Sequence, residues 1–230
     1  MFVGHLAIGV AIKAGSPRTP TWPILIGVSL MDMVDSLFAV LGINQVTPNL
    51  ARGPYLFFDL TFIDWDHSLL MALVLSILWA TLFRKDKTTA WLAGLAVFSH
   101  FLADWPMHNN DLALYPHSAA HLGYGLWGQL GTASWVLEGL FSAALLAWAW
   151  RRMQAVGVSL TWPAALLTVA FFNVSPWLSP LQWVAPLPQP WPPLLFGLLT
   201  GGSFVLLSGM LIWLIDRVSA PARQPIPADA

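Results

Sequence analysis

Six apolar stretches, at about 23–42, 66–83, 89–105, 131–150, 158–178 and 193–215, approach or reach the roughly 20 helical residues needed to cross about 30 Å of hydrocarbon. Each is bounded by Pro, Gly, charge or polar clusters. The run from Phe2 to Ala14 is too short to cross comfortably but fits a short helix packed against the others. Its positive charge follows the apolar run, so it does not read as a cleaved signal. Composition agrees: 57% hydrophobic and 9% charged residues with 14 Trp lie far from a soluble domain. The expectation is an all-α, polytopic transmembrane bundle of six to seven helices, one domain over residues 1–218. A Pro-rich cytoplasmic tail, residues 219–230, is expected to be disordered.

Orientation follows from the ten basic residues. With the turns taken alternately, Lys13, Arg18, Arg84, Lys85, Lys87, Arg151, Arg152, Arg217 and Arg223 fall on one side and only Arg52 on the other. The basic side is expected to be cytoplasmic, with the C-terminus inside. Pro180 to Pro193, with Trp183 and Trp191, reads as an outer interfacial loop. A net charge of −1 and no basic run with interleaved aromatics argue against nucleic acid as a partner, leaving membrane lipids. With no cysteine, only imidazole and carboxylate remain as metal donors.

All six histidines fall in the first 121 residues, and the alternation of turns sets every one of them at the outer side. An ionisable group at the centre of a spanning helix costs about 2.5–3.5 kcal/mol, so Asp32 and Asp35 within an apolar stretch call for a charge partner, a proton or a metal. In Ser99-His100-Phe101-Leu102-Ala103-Asp104 the imidazole and carboxylate stand one helical turn apart on one face, a chelating spacing suited to zinc, manganese or iron. The plainer alternative is a hydrogen-bonded pair at a helix end. Asp66 and Asp64, just before the stretch at 66, read as a helix N-cap and a helix-start charge, whereas His67 has no such preference and is a candidate ligand. His117 and His121 are also four apart, after a Pro116 that can start a short helix, but lack the Glu of a zincin motif. The roles of these two and of His108 stay open. Glu138, the single glutamate, lies inside the fifth stretch as a further ligand, a general base or a partner for a histidine. Gly201-Gly202-Ser203 reads as close helix packing.

The order Gly4-His5, then Asp32 with Asp35, then Asp66-His67-Ser68-Leu69-Leu70, then Ser99-His100 with Asp104 resembles the bacterial membrane-bound metal-dependent hydrolases of the inner membrane. In that family a Thr-His, a Pro-Asp-x-Asp-like segment, a Thr-His-Ser-Leu and a Ser-His-x-x-x-Asp recur. The likeness covers about residues 1–121. Here the second motif lacks its proline and Asp66 stands where the family has Thr. The order is also similar to that of zinc-dependent phospholipase C and the P1-type nucleases. Those end on His-x-x-x-Glu, where this chain has His117 and His121.

The leading expectation is a bacterial inner-membrane metal-dependent hydrolase. His5, Asp35 or Asp32, His67, His100 and Asp104 would hold one or two divalent ions, zinc or manganese, with Asp32 and Glu138 as candidate catalytic groups. A water of lowered pKa would attack a phosphate or related ester of a lipid-like substrate at the outer boundary. The alternatives are a transporter or channel using the Asp/His set as an ion or proton relay, and a structural or regulatory membrane protein.

Overall fold

The computed structural model of the chain describes residues 1–52 and 54–218; the expected tail over 219–230, with Arg223, lies outside the described residues. Helices dominate: α1 (Val3–Gly15), α2 (Thr21–Val40), α3 (Asp64–His67), α4 (Leu69–Thr81), α5 (Lys87–Met107), α6 (Leu126–Leu130), α7 (Thr132–Gln154), α8 (Thr161–Asn173), α9 (Leu181–Val184) and α10 (Trp191–Trp213). The last runs into a π-helical turn over Leu214–Val218.

Every expected apolar stretch holds a helix, but the helices differ in reach. Among the described residues, three are long and apolar enough to cross a membrane, namely α2, α7 and α10 with its π-helical extension. α1 and α4 are apolar but have 13 residues each, about 20 Å at 1.5 Å per residue. α8 is equally short, and α5, with 21 residues, carries Thr88, Thr89, His100 and Asp104 along its length. The outward faces are apolar, with Leu78, Leu140, Val169 and Leu206 each more than half exposed, as suits contact with lipid.

The chain is not wholly helical. β1 (Gln45–Pro48) pairs antiparallel with β2 (Phe58–Phe62), Val46 opposite Leu60 and Pro48 opposite Phe58. Gly42, at φ 72, takes the left-handed turn that ends α2 and leads into this hairpin. Val46 and Phe58 face inward, where Phe58 packs on Phe196 of α10 with ring centroids 5.0 Å apart. The hairpin thereby covers the end of the α2 and α10 pair.

Small residues set the approach of that pair. A Cβ at Gly197 would lie 2.4 Å from the Ser36 carbonyl oxygen, and one at Gly201 would lie 2.7 Å from Ser36 Cβ. Ser29 and Ser208 hydrogen-bond across the same seam at 2.9 Å. The main core joins α1, α2, α7, α8 and α10 through Leu6, Val10, Leu25, Met153, Leu167, Phe204 and Leu211.

The two ends of the bundle differ chemically. At one end, Lys13 Nζ donates to Pro17 O and Thr19 O, Thr21 donates to Asp216, Trp148 packs against Gly15, and Trp79 Nε1 donates to Pro23 O. These contacts bring the turns bearing Arg18, Arg84, Lys85, Arg151 and Arg217 to a common end. Arg52, paired with Asp59 at 2.6 Å, lies with the hairpin at the other.

Candidate metal centre

Helix α5 supplies the spine of the site. His100, Asp104 and His108 follow one another at four-residue intervals, so they share a face. α5 ends at Met107, and His108, as its C-cap, returns its backbone N–H to Asp104 O at 2.8 Å. α2 brings Asp32 and Asp35, α1 brings His5, and the single turn of α3 brings His67. Ser68, not Asp66, caps α4 by accepting from Met71 N. His5, His67, His100, His108, Asp35, Asp66 and Asp104 are all buried, and the Asp32 side chain is 14% exposed.

Four of these residues converge. His100 Nε2 lies 3.0 Å from Asp104 Oδ2 and 3.6 Å from Asp32 Oδ2. His67 Nε2 lies 3.6 Å from Asp32 Oδ1 and 3.8 Å from Asp104 Oδ2. Ligand atoms about 2.0–2.1 Å from a tetrahedral ion stand about 3.3 Å from one another, which is the middle of this range. His5 Nε2 lies 3.0 Å from Asp104 Oδ1, His108 Nε2 lies 3.6 Å from the same oxygen, and the Met1 amino nitrogen also meets it.

The hydrogen bonds behind the rings fix which nitrogen faces the cluster. His100 Nδ1 bonds Val28 O at 2.7 Å, His67 Nδ1 bonds Asp66 Oδ2, and His108 Nδ1 bonds Asp111 Oδ1 at 3.0 Å. A carbonyl or ionised carboxylate can only accept, so each Nδ1 carries a proton, and in the neutral ring Nε2 presents a lone pair. Such lone pairs face carboxylate oxygens, which repel them unless a proton or a metal cation lies between. Consistently, His100 Nε2, Asp32 Oδ2, Asp104 Oδ2 and both ring nitrogens of His5 are buried without a hydrogen-bond partner. Among the described residues, three overlapping groups of side chains could hold a metal ion: His5 with His100 and Asp104, Asp32 with His67 and His100, and Asp35 with Asp66 and His67. Imidazole and carboxylate together suit zinc, manganese or iron.

Asp35 stands one layer back from the convergence. Asn44 Nδ2 donates to Asp35 Oδ1 at 2.7 Å and to Asp66 Oδ1 at 2.6 Å, tying α2 to α3. Asp66 is therefore not a helix cap but the group that orients His67. Asp64 accepts the His117 backbone N–H at 2.8 Å. Glu138 belongs to none of the metal groups. Its Oε1 accepts the Phe2 and Gly4 backbone N–H groups at 2.8 and 3.0 Å and its Oε2 accepts the Tyr55 hydroxyl at 2.6 Å, which caps the start of α1. Tyr55 sits in the loop before β2, where burial and the Glu138 carboxylate push its phenol well above the usual range.

No short helix follows Pro116. His117 takes a φ of 62, stacks on Phe62 and is exposed, while His121 forms an isolated β-bridge with Ala113. The two are not drawn into a metal group. His108 is the ligand-quality residue that spacing from His100 and Asp104 alone does not single out, although its four-residue step beyond Asp104 extends the same stripe. Asn44 and Asp111 carry no local signal, because their partners come from other parts of the fold.

A cavity of about 40 Å³ adjoins the cluster, lined among others by Asp32, Asp35, Tyr55, His67, His108 and Trp127. That is room for a water or two. A polar cleft of about 380 Å³ opens at the hairpin end, lined by Arg52, Asp59, Asn109, Asn110 and Asp111 among others. Leu56, Leu60 and Trp127 border both spaces. No family model, curated protein or solved structure matches this chain.

Proposed function

We propose that the chain is a multi-pass metal-dependent hydrolase of the bacterial inner membrane, with six to seven helices in the bilayer and its basic end in the cytoplasm. The observation that carries this reading is the convergence of His67 Nε2 and His100 Nε2 on the oxygens of Asp32 and Asp104, with His100 Nε2, Asp32 Oδ2 and Asp104 Oδ2 buried and without hydrogen-bond partners. These four residues are the proposed ligands of one divalent ion, zinc or manganese. When bound, such an ion supplies Lewis acidity toward an ester oxygen and lowers the pKa of a water at the site.

The protein's own contribution is positional. Val28 O and Asp66 hold the two imidazoles in one tautomer and one orientation, which raises their basicity as ligands. Asp32, one of the four proposed ligands, also lines the small cavity, so a water held there would lie beside the proposed ion. A substrate reaching the site from the cleft at the membrane boundary is proposed to be a lipid or lipid-linked ester.

Element analysis of the purified protein, before and after chelation, tests the reading. Wild type is expected to carry zinc or manganese and to hydrolyse phosphate esters of lipids in mixed micelles. His100→Ala and Asp104→Ala are expected to lose both the metal and the activity. Folded wild-type protein that stays metal-free under metal-replete conditions would overturn the proposal.

A further inference from the structure

An apolar groove of about 430 Å³ opens between α5 and α7, lined by Met1, Ala103, Met107, Leu126, Leu137 and Phe141 among others. Leu137 and Phe141 lie roughly 8–14 Å along α7 from Thr132 at 1.5 Å per residue, and α7 is long and apolar enough to cross a membrane. Both side chains are exposed, so the mouth of the groove opens onto the surface that lipid would cover. The polar side chains in its wall are already engaged. Glu138 accepts from Phe2, Gly4 and Tyr55, and Ser99 Oγ donates to Ala96 O at 2.7 Å. What the groove offers a ligand is therefore chiefly hydrocarbon.

The groove adjoins the two spaces at the cluster. Met1 lines both the groove and the small cavity. Met107, His108 and Asn109 line the groove, the small cavity and the polar cleft in turn, and consecutive Cα atoms stand about 3.8 Å apart. Leu126 and Trp127 repeat the pattern, the first on the groove and the second on both the cavity and the cleft. On α5, Ala103 lines the groove and the next residue, Asp104, belongs to the cluster. We propose that groove and cleft are the two halves of one lipid site, with an acyl chain in the groove, the headgroup in the cleft and the bond to be cleaved at the cavity between them. The inference rests on the hydrolase reading above and states how the substrate of that site lies. Arg52, Asn109 and Asn110 offer donors to a headgroup, and Asp59 and Asp111 offer acceptors. A chain leaving the bilayer for the groove gains nothing by transfer, because lipid tails are as apolar as leucine. The groove acts by orientation, holding the bond beside the proposed ion. A partner helix, about 10 Å or more across, would lie over the mouth and leave the cleft unused.

Photolabelling of the full chain in phosphatidylcholine nanodiscs tests the groove without any activity measurement. The probe is a phosphatidylcholine with a diazirine midway along one acyl chain, and labelled residues are read by peptide mass spectrometry. Label is expected to concentrate on Met107, Leu126, Leu137 and Phe141 over the exposed Leu78, Val169 and Leu206 of other helices. Ala103→Phe, which puts a ring into the groove, should remove that excess. It should also shift the preference of the metal-loaded protein from a long-chain phosphate ester toward a short soluble one. Even labelling of all lipid-facing residues, or a groove left unlabelled as a covering helix would leave it, would overturn the groove and let the metal reading stand. Labelling confined to the groove with an unchanged ester preference in folded Ala103→Phe would overturn the substrate assignment. The wild-type labelling decides the groove alone if that variant fails to fold. A metal-free, inactive wild type would overturn the hydrolase reading and the substrate assignment with it, while the labelling still decides whether the groove holds a chain.

Discussion

Asp66 and Glu138 are both buried carboxylates, yet their neighbours give them opposite tasks. Asp66 accepts from His67 Nδ1 and from Asn44, so its negative charge acts on a ligand. Asp66→Asn keeps the shape but loses the charge that fixes the imidazole, and removing such an outer partner typically costs 10–100-fold in metal affinity. Metal titration of the folded variant should show a loss of about that size, and unchanged affinity would make Asp66 a bystander. Glu138 is expected to behave differently. Glu138→Gln retains an oxygen for the Phe2 and Gly4 amides, and the Tyr55 hydroxyl can rotate to accept from the new amide. Glu138→Ala strands those donors, at about 1–3 kcal/mol for each buried group left unpaired. Thermal unfolding should separate the two variants clearly, and equal destabilisation would contradict the capping role. Tyr55 adds a pH dependence with a definite sign. Its phenol is pushed up on folding, so its contribution is fully present below the unfolded pKa of about 10 and is lost as pH rises above that value. The stability difference between wild type and Tyr55→Phe should therefore be flat through neutral pH and shrink in alkali.

At the scale of elements, the site depends on how closely α10 presses α2, the helix that carries Asp32 and Asp35. Gly197 faces the Ser36 carbonyl oxygen so closely that any Cβ there must displace backbone. Gly202, five residues further along α10, has nothing within 4 Å of an added Cβ. Gly197→Ala is expected to destabilise the fold by about 1–3 kcal/mol, as for other overpacked sites, and to weaken metal binding because α2 shifts with its carboxylates. Gly202→Ala should be neutral or slightly stabilising, since alanine is the better helix former. Comparable losses in thermal unfolding for both would show that α10 does not set the position of α2.

At the scale of the whole molecule, charge divides the bundle lengthwise. The turns with Arg18, Arg84, Lys85 and Arg217 share one end, while the His/Asp cluster, hairpin and polar cleft share the other. The basic end is expected to face the cytoplasm. The absence of cysteine makes this directly measurable. In intact cells a membrane-impermeant maleimide should label Asn110→Cys, and it should reach Lys85→Cys only after permeabilisation. The reverse pattern would put the cleft inside and remove the argument for a substrate at the outer boundary.

Apolar runs and their boundaries placed six helices to within a few residues, because a long apolar run bounded by Pro, Gly or charge is written into every residue of a segment. The four-residue step from His100 to Asp104 was equally legible, since a helix puts such residues on one face whatever surrounds them. The same local logic failed where partners come from elsewhere. The fold of β1 and β2, the capping of α1 by Glu138 and the orientation of His67 by Asp66 all rest on contacts between distant segments. Which of Asp32 and Asp35 meets the imidazoles also required the packed bundle. Both lie on α2 three residues apart, and only the docking of α3 and α5 turns Asp32 toward His67 and His100 while Asn44 draws Asp35 to Asp66. The sequence by itself determined the helices and the supply of ligands, through periodicity and composition. Only the tertiary structure decided which ligand atoms meet, because that depends on where separate helices press together.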